Sequence, residues 1–220
     1  MKYWTMLKEI AGDKLLINYI SPSKKAWDKY LKEPIKMSDF FRLLVLIKFG
    51  GIYLDADLLF IKSHEEFFKG PDMKNKLTIA IESSCSLANG FMITEPNNKV
   101  LLRWLQEYKK FDNFHMGTFS VMKAWSLWNA YPNEFNAVQS TMVRPNWREI
   151  DLLGKFFNWK KSYNVHLSLR SLPKVLHPGV NLKDKNSVPE ILTEMSDIDC
   201  MENSLGEMFR FVVYGDEAIC

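Results

Sequence analysis

Two aspartates, Asp55 and Asp57, follow a short apolar run in the stretch GGIYLDADLLF. Side chains at positions i and i+2 of a strand lie on one face, and the small Ala56 between them lets both carboxylates approach the same ion. Oxygen ligands of this kind suit Mg²⁺ or Mn²⁺, and such an ion commonly holds a diphosphate. The pair therefore predicts a metal site. The alternative is a strand end whose acids form ion pairs with Arg42 or a lysine.

The same spacing occurs a second time, at Asp197 and Asp199 in SDIDC. That pair has no buried strand before it and no glycine turn, so it is interpreted as part of a solvated loop. Context, and not spacing, therefore distinguishes Asp55 and Asp57. Carboxylates cost free energy when they are buried without partners, so two of them at the end of an apolar strand indicate a site.

The helix and the strand that precede the acid pair are expected to bring both carboxylates to the same place. Ser38 suits an N-cap, and Asp39 suits the positive end of the apolar helix DFFRLLVLIKF, which a glycine pair ends. The strand IYLDADLLFIK follows, with a turn or bulge between its two acids. Ligands of open α/β sheets bind at the carboxyl ends of strands, which is where Asp55 and Asp57 stand.

Helical and strand patterns alternate along the chain, which predicts an α/β fold with a partly parallel sheet. Asn89-Gly90 is expected to form the turn that opens the strand NGFMIT. The chain after Pro173 is polar and is expected to be irregular. The other predicted elements are the helix YWTMLKEIAGD, the strand KLLINYI, the helix KKAWDKYLKE, the strand LTIAIESS, the helices KVLLRWLQEYKKF and SVMKAWSLWNAY, and the strand YNVHLSL.

Composition and charge argue against several classes of function. The chain has 220 residues, 47% hydrophobic content and a net charge of +3, and its basic residues occur at most in pairs, so nucleic acid is not expected as a partner. No run of 18 apolar residues is present, and no transmembrane segment is predicted. The cysteines lack zinc-site spacing. Cys200 and Cys220 could close a C-terminal loop in an oxidising compartment, and because the chain has three cysteines at least one is free or pairs with another chain.

The block Ser38–Ser63 resembles the signature of the glycosyltransferases with a DXD motif, a group that includes glycosyltransferase family 32, bacterial capsular-sugar transferases and the α-1,4-galactosyltransferases of animals. The shared pattern is S-D-x-x-R, an apolar helix, and then G-G-x-Y-L-D-x-D. Its nine fixed positions are met by Ser38, Asp39, Arg42, Gly50, Gly51, Tyr53, Leu54, Asp55 and Asp57.

Later stretches are similar to segments of the α-1,4-galactosyltransferase branch. They are LANGFMI, HMGTFSVMKAW, RPNWREI and YNVHLSL. The second has Thr118 where the branch has proline, and the last keeps His166 but has Ser168 and Leu169 in place of tryptophan and asparagine. The resemblance thus extends beyond the first block, with lower specificity.

The resemblance implies a GT-A type nucleotide-sugar-binding fold with a mixed sheet. Only 37 residues precede Ser38, so N-terminal strands of that fold are expected to be missing. The implied activity is the retaining transfer of a hexose from a nucleotide-sugar, UDP-galactose or a related donor, to a glycan or glycolipid acceptor. Asp55, Asp57 and His166 would hold Mn²⁺ (or Mg²⁺), which neutralises charge on the leaving diphosphate. No residue is assigned as the nucleophile.

Substrate contacts are implied for Asp39, Arg42, Tyr53, Asn89 and Gly90. The aspartate would lie near the ribose or sugar, and the arginine would reach the sugar or the diphosphate. Each assignment has a structural alternative: an ion pair for the arginine, a turn for the asparagine, and a satisfied strand residue for the late histidine.

Residues 1–172 are expected to form the catalytic domain, partial at its N-terminus, and residues 173–220 an irregular extension. Two other functions stay open. The first is a truncated, non-catalytic glycosyltransferase-like protein. The second is a haloacid dehalogenase-type phosphatase with Asp55 as nucleophile, although Leu59 stands where those enzymes need threonine or valine. A membrane-anchored full-length form would place the protein in the Golgi lumen.

Overall fold

The computed structural model describes residues 2–68, 74–113, 117–139, 142–144, 149, 152, 157–168 and 201–215. The α-helices of these ranges are α1 (Lys2–Ala11), α2 (Pro34–Phe49), α3 (Lys99–Glu107), α4 (Val121–Ala130) and α5 (Ser204–Tyr214). The strands are β1 (Lys25–Ala26), β2 (Lys29–Tyr30), β3 (Gly51–Leu54), β4 (Leu58–Phe60), β5 (Leu77–Ser83), β6 (Ser86–Thr94), β7 (Phe135–Val138) and β8 (Asn164–His166).

A mixed four-stranded sheet in the order β3-β6-β5-β7 organises the chain. β5 and β7 run parallel, while β6 is antiparallel to both of its neighbours. β4 pairs with β8 in a separate antiparallel ribbon, and β1 pairs with β2 in a hairpin. This arrangement confirms the predicted α/β class with a partly parallel sheet, and it is consistent with a GT-A type fold.

The two faces of the sheet are packed differently because successive strand side chains point to opposite sides. Leu77, Ile79 and Met92 join a core with the apolar sides of α2, α3 and α4. Ala80, Phe91 and Ile93, one residue out of phase with that set, belong to a second core that also holds Phe67, Met142 and Val143. β6 is buried along its whole length, so each of its residues has little access to solvent.

Helix α2, which carries the first part of the site, begins one turn earlier than its sequence suggested. Pro34 occupies the start of the helix and Glu33 precedes it in an extended conformation, so Ser38 lies inside the helix and the predicted N-cap at Ser38 is wrong. Gly50, at φ 63, ends α2 as predicted. A side chain at Gly50 would come within 2.6 Å of Pro96, which adds a packing reason for glycine there.

Two further predictions before α2 are wrong. The stretch KLLINYI forms no strand, and residues 16–20 are exposed. KKAWDKYLKE forms the β1–β2 hairpin instead of a helix, with Trp27 at φ 59 in the turn. Ala26 is fully buried and Leu31 is 5% exposed, so packing against the main core overrides the helical propensity of this segment.

The predicted turn at Asn89-Gly90 is also wrong. Both residues lie inside β6, and the β5–β6 connection is at Ser84 and Cys85. Cys85 is exposed and free. The predicted helices α1, α3 and α4 and the strands β5 and β8 are confirmed, and α3 is capped by the side chain of Asn98.

The tail after Pro173 was expected to be irregular, but its described part contains α5. Leu205 and Met208 of α5 are fully buried against Trp159 and Val165 beside β8. The assignment of residues 1–172 and 173–220 to separate units stays a prediction. No described helix has the length and apolar character needed to span a membrane.

Candidate active site

Arg42 is buried at the centre of several polar contacts of the candidate site, with 4% of its surface exposed. Asp39, one turn earlier on α2, pairs with it at 3.1 Å, and Asp55 lies 3.4 Å from the same nitrogen. The guanidinium also donates to the carbonyl of Asn89 at 2.7 Å and to Ser38. A guanidinium that is paired in this way offsets the desolvation of two carboxylates and ties α2 to β3 and β6.

Tyr53, on β3, fixes the orientation of the first acid of the motif. Its hydroxyl donates to Asp55 Oδ1 at 2.7 Å and lies 3.2 Å from Ser38 Oγ. The Arg42 guanidinium stacks 4.5 Å from the centre of its ring. Burial raises the pKa of Tyr53 to about 12; the charge of Arg42 opposes this rise and the charge of Asp55 adds to it. The hydroxyl therefore stays protonated, and so a donor, at neutral pH.

Asn89 and Gly90 approach the same point from β6. The amide nitrogen of Asn89 donates to Asp39 at 3.0 Å and to Ser120 at 2.7 Å, which uses both of its hydrogens. The carbonyl of Gly90 accepts from the backbone N–H of Asp55 at 2.8 Å. A Cβ at Gly90 would lie 2.8 Å from Asp55 Oδ2, so glycine is required there for the carboxylate to occupy its position.

Asp39 is held in a buried polar network. Burial raises its pKa above the usual range, while the charge of Arg42 and hydrogen bonds from Asn89 and Ser120 oppose that rise. The side chain of Asp39 is 15% exposed and points its oxygen at protein donors. In this structure Asp39 therefore orients Arg42 and Asn89.

His166 reaches the acid pair through the pairing of β4 with β8. Leu58 stands opposite His166 in that register, and the backbone N–H of Leu167 donates to the carbonyl of Asp57 at 2.9 Å. The imidazole Nε2 then lies 3.2 Å from Asp57 Oδ1. Burial alone would lower the pKa of His166, but its hydrogen bond to Asp57 and the charges of Asp57, Asp55 and Glu82 raise it above its ordinary value.

Asp55, Asp57 and His166 form a group whose ligand atoms all lie within 4.8 Å of one another. Their side chains are 25%, 22% and 24% exposed, so each is partly buried but open to solvent on one side. The carboxylates of Asp39 and Asp55 both pair with the buried guanidinium of Arg42. Two oxygens and one nitrogen with this separation can bind a single divalent cation.

Comparison with known families agrees with this geometry. Residues 6–77 match the sequence model of the family described as the glycosyltransferase sugar-binding region containing DXD motif. Residues 6–77 are therefore similar in sequence to the DXD sugar-binding region of the glycosyltransferases. Within this DXD region lie α2, β3 and both aspartates, while Asn89, Gly90 and His166 come from beyond it.

A curated relative is the glucan organizing enzyme 1 of Cryptococcus neoformans var. grubii serotype A. It is 30% identical to this chain over 128 residues, which cover 53% of this chain and 34% of the relative. The chain thus matches about a third of the length of that protein. No solved structure matches the chain significantly. The resemblance to DXD glycosyltransferases is confirmed, and its narrower assignment to the α-1,4-galactosyltransferase branch stays a prediction.

The structure gathers all eight predicted site residues around the DXD motif, although their roles stay predictions. Three additional residues participate that sequence reasoning did not assign. Ser38 contacts Tyr53 and Arg42, Ser120 holds Asn89, and Glu82 acts electrostatically on His166. Only Ser38 had a sequence signal, because it opens the S-D-x-x-R pattern of the DXD region.

Some predictions lie outside the described residues. They concern the start of HMGTFSVMKAW, most of RPNWREI, the second acid pair Asp197 and Asp199, and the pairing of Cys200 with Cys220.

Proposed function

We propose that the chain is part of a metal-dependent glycosyltransferase that moves a hexose from a nucleotide-sugar to a glycan or glycolipid acceptor with retention of configuration. The observation that carries this proposal is the convergence of Asp55, Asp57 and His166 within 4.8 Å in a DXD region. UDP-galactose or a related donor is the first candidate, from the resemblance of the motif blocks. If the protein acts on secretory glycans, its place would be the Golgi lumen.

The residues present fit a divalent cation. Asp57 Oδ1 and His166 Nε2 are 3.2 Å apart, and neighbouring ligands of an octahedral ion with bonds of about 2.1 Å lie about 3 Å apart. A mixed carboxylate and imidazole set suits Mn²⁺ better than Mg²⁺, which prefers oxygen alone. When bound, the ion would neutralise charge on the departing nucleoside diphosphate.

The surrounding residues would keep the ligands in place. Arg42 has its nitrogens directed to Asp39, Asp55, Ser38 and the Asn89 carbonyl, so in this structure it acts as a positioning residue. Tyr53 donates to Asp55 and holds that carboxylate in one orientation. Such preorganisation reduces the rearrangement needed when charge develops on the leaving group.

The test measures nucleotide release from UDP- and GDP-sugars in the presence of Mn²⁺, with and without galactose- or mannose-terminated acceptors. We expect metal-dependent release that Asp57→Asn abolishes. Asp199→Asn, in the second D-x-D pair, is the matched control and should retain full release.

Other outcomes would contradict the proposal. Phosphate release from small phosphomonoesters would instead support the haloacid dehalogenase-type reading with Asp55 as nucleophile. No release with any donor, from a protein that binds Mn²⁺ and melts cooperatively, would support a non-catalytic glycosyltransferase-like protein.

A further inference from the structure

The segment before α2 exposes an unusual amount of apolar surface. We define the N-terminal surface as residues 7–32. Ile10 and Leu16 are each 82% exposed and Tyr19 is 91% exposed. The other large apolar side chains exposed on this surface are Leu7, Ile17, Ile20, Trp27 and Tyr30. Apolar groups left in water at this density indicate an interaction site, whereas single exposed apolar residues are ordinary.

The exposed residues lie on three consecutive pieces of chain. Leu7 and Ile10 are on α1, the arm 15–23 has no regular structure, and the β1–β2 hairpin carries Trp27 at 46% and Tyr30 at 61% exposure. Ala26 and Leu31 anchor the hairpin in the core. The core therefore holds the hairpin in place, whereas the arm 15–23 that precedes it has no regular structure.

Positive charge accompanies the apolar groups. The N-terminal surface contains six lysines, at positions 8, 14, 24, 25, 29 and 32, but only the acids Glu9, Asp13 and Asp28. Its net charge is +3, which equals the net charge of the whole chain, so the remaining residues are balanced. Lys25 lies 4.4 Å from the ring centre of Tyr30, and Lys109 lies 4.8 Å from that of Trp27.

We propose that the N-terminal surface docks the protein onto a lipid bilayer that carries anionic headgroups. Apolar side chains interleaved with lysines, and aromatic residues at the boundary, are the pattern of segments that lie in a membrane interface without spanning it. The lysines would contact the headgroups while Leu16, Tyr19 and the hairpin aromatics enter the boundary of the acyl chains.

A second copy of this chain is the competing occupant. Apposing two copies of the N-terminal surface would bring together two patches of net charge +3, which repel one another at low ionic strength. An anionic bilayer satisfies both the charge and the apolar groups. The proposal does not depend on the proposed glycosyl transfer, because it concerns residues outside the Asp55, Asp57 and His166 group.

The experiment is co-sedimentation with vesicles of phosphatidylcholine alone or with 30% phosphatidylserine, at low and high salt. We expect binding to the anionic vesicles that weakens with salt and is much weaker to the neutral ones. Lys24→Gln with Lys25→Gln should reduce the partition coefficient about 25-fold, from about 1 kcal/mol for each lysine near the surface. Lys160→Gln with Lys161→Gln, an exposed lysine pair elsewhere, should leave it unchanged.

The apolar part is tested by Leu16→Ser with Tyr19→Ser, which should weaken binding at least tenfold. Leu102→Ser with Met122→Ser, at side chains 40% and 47% exposed, is the control and should bind like the wild type. All four variants change exposed residues and should melt like the parent protein.

Absence of binding to anionic vesicles, or equal binding to neutral ones, would overturn the proposal. So would a dimer in light scattering that the Leu16→Ser, Tyr19→Ser variant abolishes, since that result would assign the surface to a second copy.

Discussion

Replacing Gly90 with alanine should weaken metal binding while leaving the fold intact. Gly90 lies in β6 with a backbone conformation that alanine can adopt, since its φ is not in the left-handed region. The added Cβ would stand 2.8 Å from Asp55 Oδ2, and ordinary contact begins at 3.4 Å. Because that carboxylate is 25% exposed, we expect it to move by the difference, about 0.6 Å, in preference to a shift of the buried strand.

The size of the effect follows from that displacement. Metal–ligand distances tolerate changes of about 0.2 Å, so a shift three times as large removes Asp55 from good coordination. Changes that misplace a metal ligand typically cost about 10- to 100-fold in affinity, which corresponds to about 1.4–2.8 kcal/mol. The free energy of unfolding should fall by about 0–2.5 kcal/mol, because the about 0.5–1 kcal/mol gained from losing a glycine in the strand offsets part of the about 1–3 kcal/mol that the tight contact costs.

Titration calorimetry with Mn²⁺, together with thermal unfolding of the metal-free protein, measures both quantities. The decisive control is a double-mutant cycle with Asp55→Ala. When the Asp55 carboxylate is absent, the added Cβ has no oxygen to clash with, so Gly90→Ala should have no further effect on Mn²⁺ affinity. An unchanged affinity in the single variant, or an equal loss in both backgrounds, would refute the argument that Gly90 makes room for Asp55.

Two further predictions concern stability. Arg42→Met should lower the free energy of unfolding by about 3–5 kcal/mol in urea denaturation, because it leaves Asp39 and Asp55 without their shared cation; a loss below 1 kcal/mol would contradict that role. The imidazole of His64 lies 4.9–6.0 Å from the centres of four aromatic rings, and burial lowers its pKa in the folded protein. As pH falls, His64 is therefore protonated in the unfolded chain at a higher pH than in the folded protein. Stability should therefore fall as pH drops through about 6.5, and His64→Phe, compared with the wild type between pH 7.5 and 5, should remove that part of the slope. Equal slopes for the two proteins would show that His64 does not contribute.

Local features of the sequence predicted the part of the site that is local in the chain. Asp39 and Arg42 are three residues apart on a helix, and this spacing alone brings them into contact. The glycine pair that ends α2 and the strand pattern of β3 could both be predicted from the sequence, and Asp55 is the residue directly after β3. The amphipathic pattern of α3 was also sufficient to predict that helix, because its apolar side chains repeat with the helical period.

Predictions failed where tertiary packing opposed local preference. KLLINYI has strand propensity, but no neighbouring strand in the described sheet receives it. KKAWDKYLKE has helix formers, yet burial of Ala26 and Leu31 favours the hairpin. Asn89-Gly90 has the composition of a turn, but the turn formed at Ser84 and Cys85, which put Asn89 into a buried strand beside Arg42.

By itself the sequence determined which side chains carry the charge of this site and which of them share a helix or a strand. The family resemblance implied that His166 joins the two aspartates, and the tertiary structure places it beside Asp57 because the β4–β8 register joins segments that are far apart in the chain. Only the tertiary structure decided that Gly90 faces Asp55 and that Arg42 is enclosed by protein partners. Contacts of this kind depend on strand pairing across long loops, and no local pattern of residues specifies that pairing.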